Sequence, residues 1–123
     1  MGADGEMVDR ELESFVDRNV PTLVAWEILL FFDAHRDAVL DRSGLARRLG
    51  RRDADIDADI DALCRTGVLE CSGGLVRFAG DPATATGLDR FVEAVGDPRA
   101  RKVIIGRVMA HLDEAARAGR PAS

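Results

Sequence analysis

The chain has one lysine, two histidines and two cysteines among 123 residues. It also has no apolar run near the ~20 residues that cross a bilayer, so no membrane span is expected. Cys64 and Cys71 are too few for a disulfide framework or a zinc site. Both read as small structural hydrophobes, Cys64 beside Leu63 near a buried face and Cys71 at the end of a strand. His35 and His111, even with Asp113 or Glu114 nearby, match no ligand spacing, so neither a metal nor a cofactor is expected. There is no G-x-S-x-G, no phosphate loop and no glycine fingerprint opening a helix. No catalytic residue is nominated, and the expectation is a protein that is not an enzyme. The opening Met1–Glu6 lacks the basic and then apolar segments of a secretory signal, which makes a cytoplasmic protein the expectation.

What is present is apolar enough to fold: 46% of residues are hydrophobic, sufficient for a single domain over 1–123 with a modest core. Net charge is −5, whereas a stand-alone DNA-binding domain is usually basic. Lys102 is outnumbered by 16 arginines. Alongside so much Ala, Asp and Gly, this is the signature of a GC-rich genome rather than of selection for phosphate.

In chain order, Val8, Leu12, Phe15 and Val16 repeat at helical spacing and predict an N-terminal helix over 6–18, broken by Asn19-Val20-Pro21. Thr22–His35 is apolar nearly all the way round. Such a helix needs cover on more than one side, from the flanking helices or from a second subunit, and so raises a homodimer. Asp37–Asp41 suits an edge strand. Ser43 can cap a helix with core face Leu45, Ala46 and Leu49, ended by Gly50. Asp53 can cap the next helix, whose Ile56, Ile60 and Leu63 share one face and whose end is marked by Gly67. Val68–Cys71 and Leu75–Phe78 are short strands around Ser72-Gly73-Gly74. Leu88, Phe91, Val92 and Val95 mark one further helix. Asp97-Pro98 opens another, with Val103, Ile104, Ile105, Val108, Met109 and Leu112 as its stripe, so that C-terminal helices occupy 83–118.

The helix with Leu45-Ala46-Arg47-Arg48-Leu49-Gly50, followed by Ile56, Ile60, Leu63, Gly67 and a glycine-turned hairpin, resembles the winged helix-turn-helix domain of MarR- and ArsR-type transcriptional regulators. The resemblance covers roughly Thr22–Phe78. It implies a mainly α fold with a small β wing: a winged-helix core over 22–80, an extra N-terminal helix and two C-terminal helices available for dimerisation. It also makes the helix beginning at Asp53 the recognition helix.

That helix is chemically unusual for DNA. With Ile56, Ile60 and Leu63 inward, its outer face centres on Ala58, beside Ala54, Ala62 and Arg65, with Asp55 and Asp61 at the shoulders and Asp57 and Asp59 nearer the core. A major-groove helix needs donors to bases and positive flanks. Here five aspartates (53, 55, 57, 59, 61) would lie beside phosphate. Against this stand Arg42, Arg47, Arg48, Arg51 and Arg52, with Arg77 in the wing, as candidate phosphate contacts. Alternatively these arginines pair with nearby aspartates, as Arg51 or Arg52 could with Asp55, in links worth about 0–1 kcal/mol each. The expectation is a regulatory module that contacts a protein through Ala54, Asp55, Ala58, Asp61, Ala62 and Arg65. The alternative is a homodimeric DNA-binding repressor gripping phosphates with Arg47, Arg48, Arg51 and Arg52. A ligand pocket near Trp26 and Phe31 is a third class.

Overall fold

A computed structural model describes residues 9–118. The elements are α1 (Arg10–Asn19), α2 (Leu23–Ala34), β1 (Val39–Asp41), α3 (Arg42–Leu49), α4 (Asp53–Thr66), β2 (Leu69–Ser72), β3 (Leu75–Phe78), α5 (Pro82–Val95) and α6 (Pro98–Ala118). The protein is mainly helical with one small antiparallel sheet of order β1-β3-β2. No helix among the described residues is long and apolar enough to cross a membrane.

Helix starts follow capping chemistry. Asp9 accepts from the Leu12 amide at 2.9 Å, Thr22 from Ala25 at 3.0 Å and Asp81 from Thr84 at 3.2 Å. α1 is described from Arg10, and the expected start at 6 lies outside the described range. Two expected caps move. Asp41, not Ser43, caps α3 by accepting from the Gly44 amide at 2.7 Å. α4 starts at Asp53 itself, with Arg52 at the cap position and no side-chain cap bond. Asp53 keeps its carboxylate near the positive end of the helix dipole and accepts from the Ser43 hydroxyl. Ser43 lies inside α3, and its hydroxyl donates to Asp53 of α4.

α4 ends where Gly67 takes φ +93° and the Val68 amide reaches back to the Leu63 carbonyl at 3.1 Å. The chain then enters β2, one residue later than the sequence suggested. Gly73 and Gly74, with φ of 58° and 81°, form the two-residue turn. Leu69 faces Phe78, Ser72 faces Leu75, and on the other edge of β3 Val39 faces Arg77. The expected edge strand at 37–41 is thus present as β1. Cys64 and Cys71, expected to be separate, are joined in a disulfide that ties the last turn of α4 to β2 across a Cα–Cα distance of 6.1 Å.

The core runs through every helix: Leu12, Phe15 and Val16 of α1, Ile28, Leu29 and Phe32 of α2, Leu45 of α3, Ile56, Ile60 and Leu63 of α4, Leu88 and Phe91 of α5, and Ile104 and Val108 of α6. α3, α4 and α5 all pack on α2, and Trp26 meets Phe91 edge-on at 5.5 Å. Ile28, Leu29 and Phe32 of α2 are covered within the chain, whereas Val24, Trp26, Leu30 and Phe31 are half-buried and Leu23 is 44% exposed. Truncating one of the buried α4 residues to alanine costs about 2–5 kcal/mol, several times an exposed ion pair. The apolar stripe, not charge, holds α4 in place.

α1 and α5 meet closely at Gly87, where an added β-carbon would lie 2.7 Å from Phe15 Cδ2 and 2.9 Å from Cε2. The Phe15 ring is itself confined, 5.9 Å from that of Phe91. Gly87→Val should therefore lower the unfolding free energy by about 1–3 kcal/mol in urea titration. An unchanged midpoint would mean that the helices do not approach this closely.

Candidate functional site

The outer face of α4 is where the geometry of helix placement points. Ala54, Asp55, Ala58, Asp61 and Arg65 are exposed and Ala62 is half-buried. Asp57 and Asp59 are half-buried at the boundary with the core. The sequence-expected contact residues therefore do share one face.

Each of the five aspartates accepts a hydrogen bond from within the chain. Arg42 reaches from α3 across successive turns of α4, with Nη1 3.3 Å from Asp57 Oδ1 and Nη2 2.6 Å from Asp61 Oδ1. Arg52 donates to Asp55 at 3.1 Å, the Thr22 hydroxyl to Asp59 at 2.6 Å and the Ser43 hydroxyl to Asp53. Thr22 is also the cap of α2, so Asp59 locks the start of α2 to the middle of α4.

The candidate phosphate contacts divide accordingly. Arg42 and Arg52 are held by α4 carboxylates. Arg51 pairs not with Asp55 but with Glu27 of α2, through a two-point contact at 2.8 and 2.7 Å. Arg77 pairs with Glu70 across the hairpin at 2.8 Å. Only Arg47 and Arg48 of the six are exposed and in no ion pair among the described residues. Over residues 36–65 seven arginines meet seven aspartates, so this region has no net charge.

The pairing shifts the carboxylates. Hydrogen bonds from Arg51 hold Glu27 below its ordinary value, and those from Arg52 do the same for Asp55. A second cluster, which the sequence did not suggest, joins α1 to α6. Arg107 donates to Asp17 at 3.0 and 2.6 Å, and His111 Nε2 lies 2.8 Å from the same carboxylate. Asp17 is lowered, chiefly by Arg107. Its partners lie 90 and 94 residues away, beyond any local pattern.

No group of three or more His, Cys, Asp or Glu side chains is placed to hold a metal ion among the described residues. An open groove of about 660 Å³ lies between α1 and α5, lined by Arg10, Ser14, Phe15, Arg18, Thr86 and Arg90 among others. Trp26 and Phe31 do not line it: Trp26 packs on Phe91, and Phe31 on Phe32 and His35. No family model, curated protein or solved structure matches the chain.

Because Asp17 and Glu27 titrate lower folded than unfolded, the unfolded chain takes up protons first on acidification. Their stabilising contribution is complete at neutral pH. It declines as pH falls through the ordinary values of 4.5 for Glu27 and 3.8 for Asp17, until the folded carboxylates are also protonated. Urea titrations from about pH 6 to about pH 3 should show this fall, and it should be shallower in Arg51→Gln and Arg107→Gln. Identical slopes in wild type and variants would contradict the assignment.

Proposed function

We propose that this chain is a non-enzymatic, winged-helix regulatory module that acts by contacting a protein through the outer face of α4. The order of elements supports the winged-helix reading. A strand and two helices joined by Gly50-Arg51-Arg52 precede a glycine-turned hairpin, and the strand adds to the hairpin's β3. These features match the resemblance to MarR- and ArsR-type regulators.

The observation that carries the choice of partner is the internal pairing of all five α4 aspartates. A duplex approaching α4 meets alanines and carboxylates. If phosphates drew Arg42 or Arg52 away, the aspartates left behind would face the same phosphates, which removes much of the gain from counterion release. A protein surface meets a different object: a face of small alanines, with little to desolvate at its centre and charge at its edges to orient the encounter. The exposed Arg65 gives the far end of that face the opposite sign.

A second reading, phosphate binding at α3, keeps one observation in its favour: Arg47 and Arg48 are exposed on α3 and form no ion pair among the described residues. Two cations give a weak, sequence-blind grip by comparison with the six to ten phosphate contacts of a typical DNA-binding protein.

A display library of short helical peptides, selected on the immobilised protein, provides the test. The selected peptides should be neutral or basic with an apolar stripe, and Ala58→Arg should weaken them by more than about tenfold, because it puts a long charged side chain at the centre of the contact. Affinity unchanged by Ala58→Arg would remove α4 as the docking face.

A further inference from the structure

α4 and the hairpin are joined twice over. Gly67 makes the left-handed turn that ends α4, the Val68 amide donates to the Leu63 carbonyl at 3.1 Å, and the Ala79 amide donates to the Val68 carbonyl at 2.9 Å. Leu63, Val68 and Leu69 are buried. These contacts set where β2 leaves the helix without the help of a covalent bond. The Cys64–Cys71 disulfide adds one across the same junction. Its halves are only seven residues apart, so it removes less freedom from the unfolded chain than a long-range bridge would.

The two sulfurs stand in different surroundings. Cys64 is half-buried against the core on the last turn of α4, whereas Cys71 is exposed. β2 lies at the edge of the sheet, with β3 on one side only. Glu70, Ser72, Gly73 and Gly74 beside Cys71 are exposed too, and all but Glu70 are small. An incoming thiolate exchanges with whichever sulfur it can reach, and here that is the sulfur of Cys71. The chain has no other cysteine, so no internal thiol competes for either half.

We propose that the Cys64–Cys71 disulfide is a site of thiol–disulfide exchange, attacked at Cys71 Sγ by a small-molecule thiol while the protein stays folded. The thiolate forms a bond to Cys71 Sγ, the bond between the two cysteines breaks, and Cys64 leaves as a thiolate that takes up a proton. A second small thiolate attacks the small-molecule sulfur of the mixed disulfide. Cys71 is released and protonated, and the two small thiols depart joined as one disulfide. Two thiols are thereby oxidised and the cysteine pair is reduced, and the reverse sequence closes the link again. Opening removes the covalent tie between β2 and α4 and leaves the ladder of β2 with β3 and the buried Leu63, Val68 and Leu69 in place. The hairpin gains freedom while the helical core keeps its packing. The exchange concerns the link itself and holds whatever α4 contacts.

Reduced and oxidised glutathione, mixed with the native protein at graded ratios, test it by acid quench, intact-mass measurement and peptide mapping. The rate of opening should rise in proportion to reduced glutathione over at least about a tenfold range, and trapped adducts should favour Cys71 over Cys64 by more than about tenfold. The far-ultraviolet circular dichroism spectrum should be the same with the pair open or closed. Hydrogen exchange in the β2–β3 ladder should quicken by more than about tenfold on opening, with the amides of Ile60 and Leu63 unmoved. Cys64→Ser combined with Cys71→Ser should match the opened protein in both spectrum and exchange. An opening rate that levels off as glutathione rises would show that unfolding has to come first and would overturn the proposal. Adducts mainly on Cys64, or loss of the helical spectrum on opening, would do so as well. Unchanged exchange in the hairpin would overturn its release, and two thiols that stay open in excess oxidised glutathione would remove the site altogether.

Discussion

α2 is apolar over most of its surface, and its inner face has to be covered by the rest of the chain. Ile28, Leu29 and Phe32 are fully buried, and α3, α4 and α5 are laid over them. Burial of this kind contributes about 1.5–3 kcal/mol for each large side chain, far beyond any surface pair in the molecule. The position of α4 follows from it. Once Ile56, Ile60 and Leu63 are turned inward, the 3.6-residue repeat leaves Ala54 and Ala58 outward and sets the aspartates around them.

Charge then completes an arrangement that apolar packing has already set. Arg42, Arg52, Thr22 and Ser43 supply a donor to every aspartate of α4, from elements that are themselves positioned by the core. These contacts are exposed or half-exposed, so each adds little stability. Their consequence is electrostatic: a helix acidic in composition and a neighbouring segment basic in composition present together a surface of no net charge. Matched charge of this kind is the basis of the proposed preference for a protein partner over a polyanion.

Much of the fold was legible because its signals are local. Gly67 and Pro98 mark boundaries through the chemistry of single residues, and each lies where expected. Ser43 was misjudged because Asp41, two residues earlier, competes for the same role and wins where β1 runs directly into α3. The α4 face was legible from periodicity. Its partners were not, except for Arg52 and Asp55, which are three residues apart and fall under the helical spacing rule. Arg42 with Asp61, Arg51 with Glu27 and Arg107 with Asp17 are brought together only by tertiary structure. The disulfide was missed because seven residues and a change from helix to strand separate its halves. The stripe expected on α6 divides in the fold: Ile104 and Val108 are buried, whereas Val103, Ile105 and Met109 are exposed.

The central proposal is that internally matched charge leaves the α3–α4 region with too few free cations for a firm grip on nucleic acid. Fluorescence anisotropy of a labelled random duplex, titrated with the protein at about 50 and about 200 mM salt, tests it directly. The account predicts no saturable binding at micromolar protein even at the lower salt. Micromolar or tighter binding that falls steeply as salt rises, and is lost in Arg47→Ala/Arg48→Ala, would contradict it and give the repressor reading the lead.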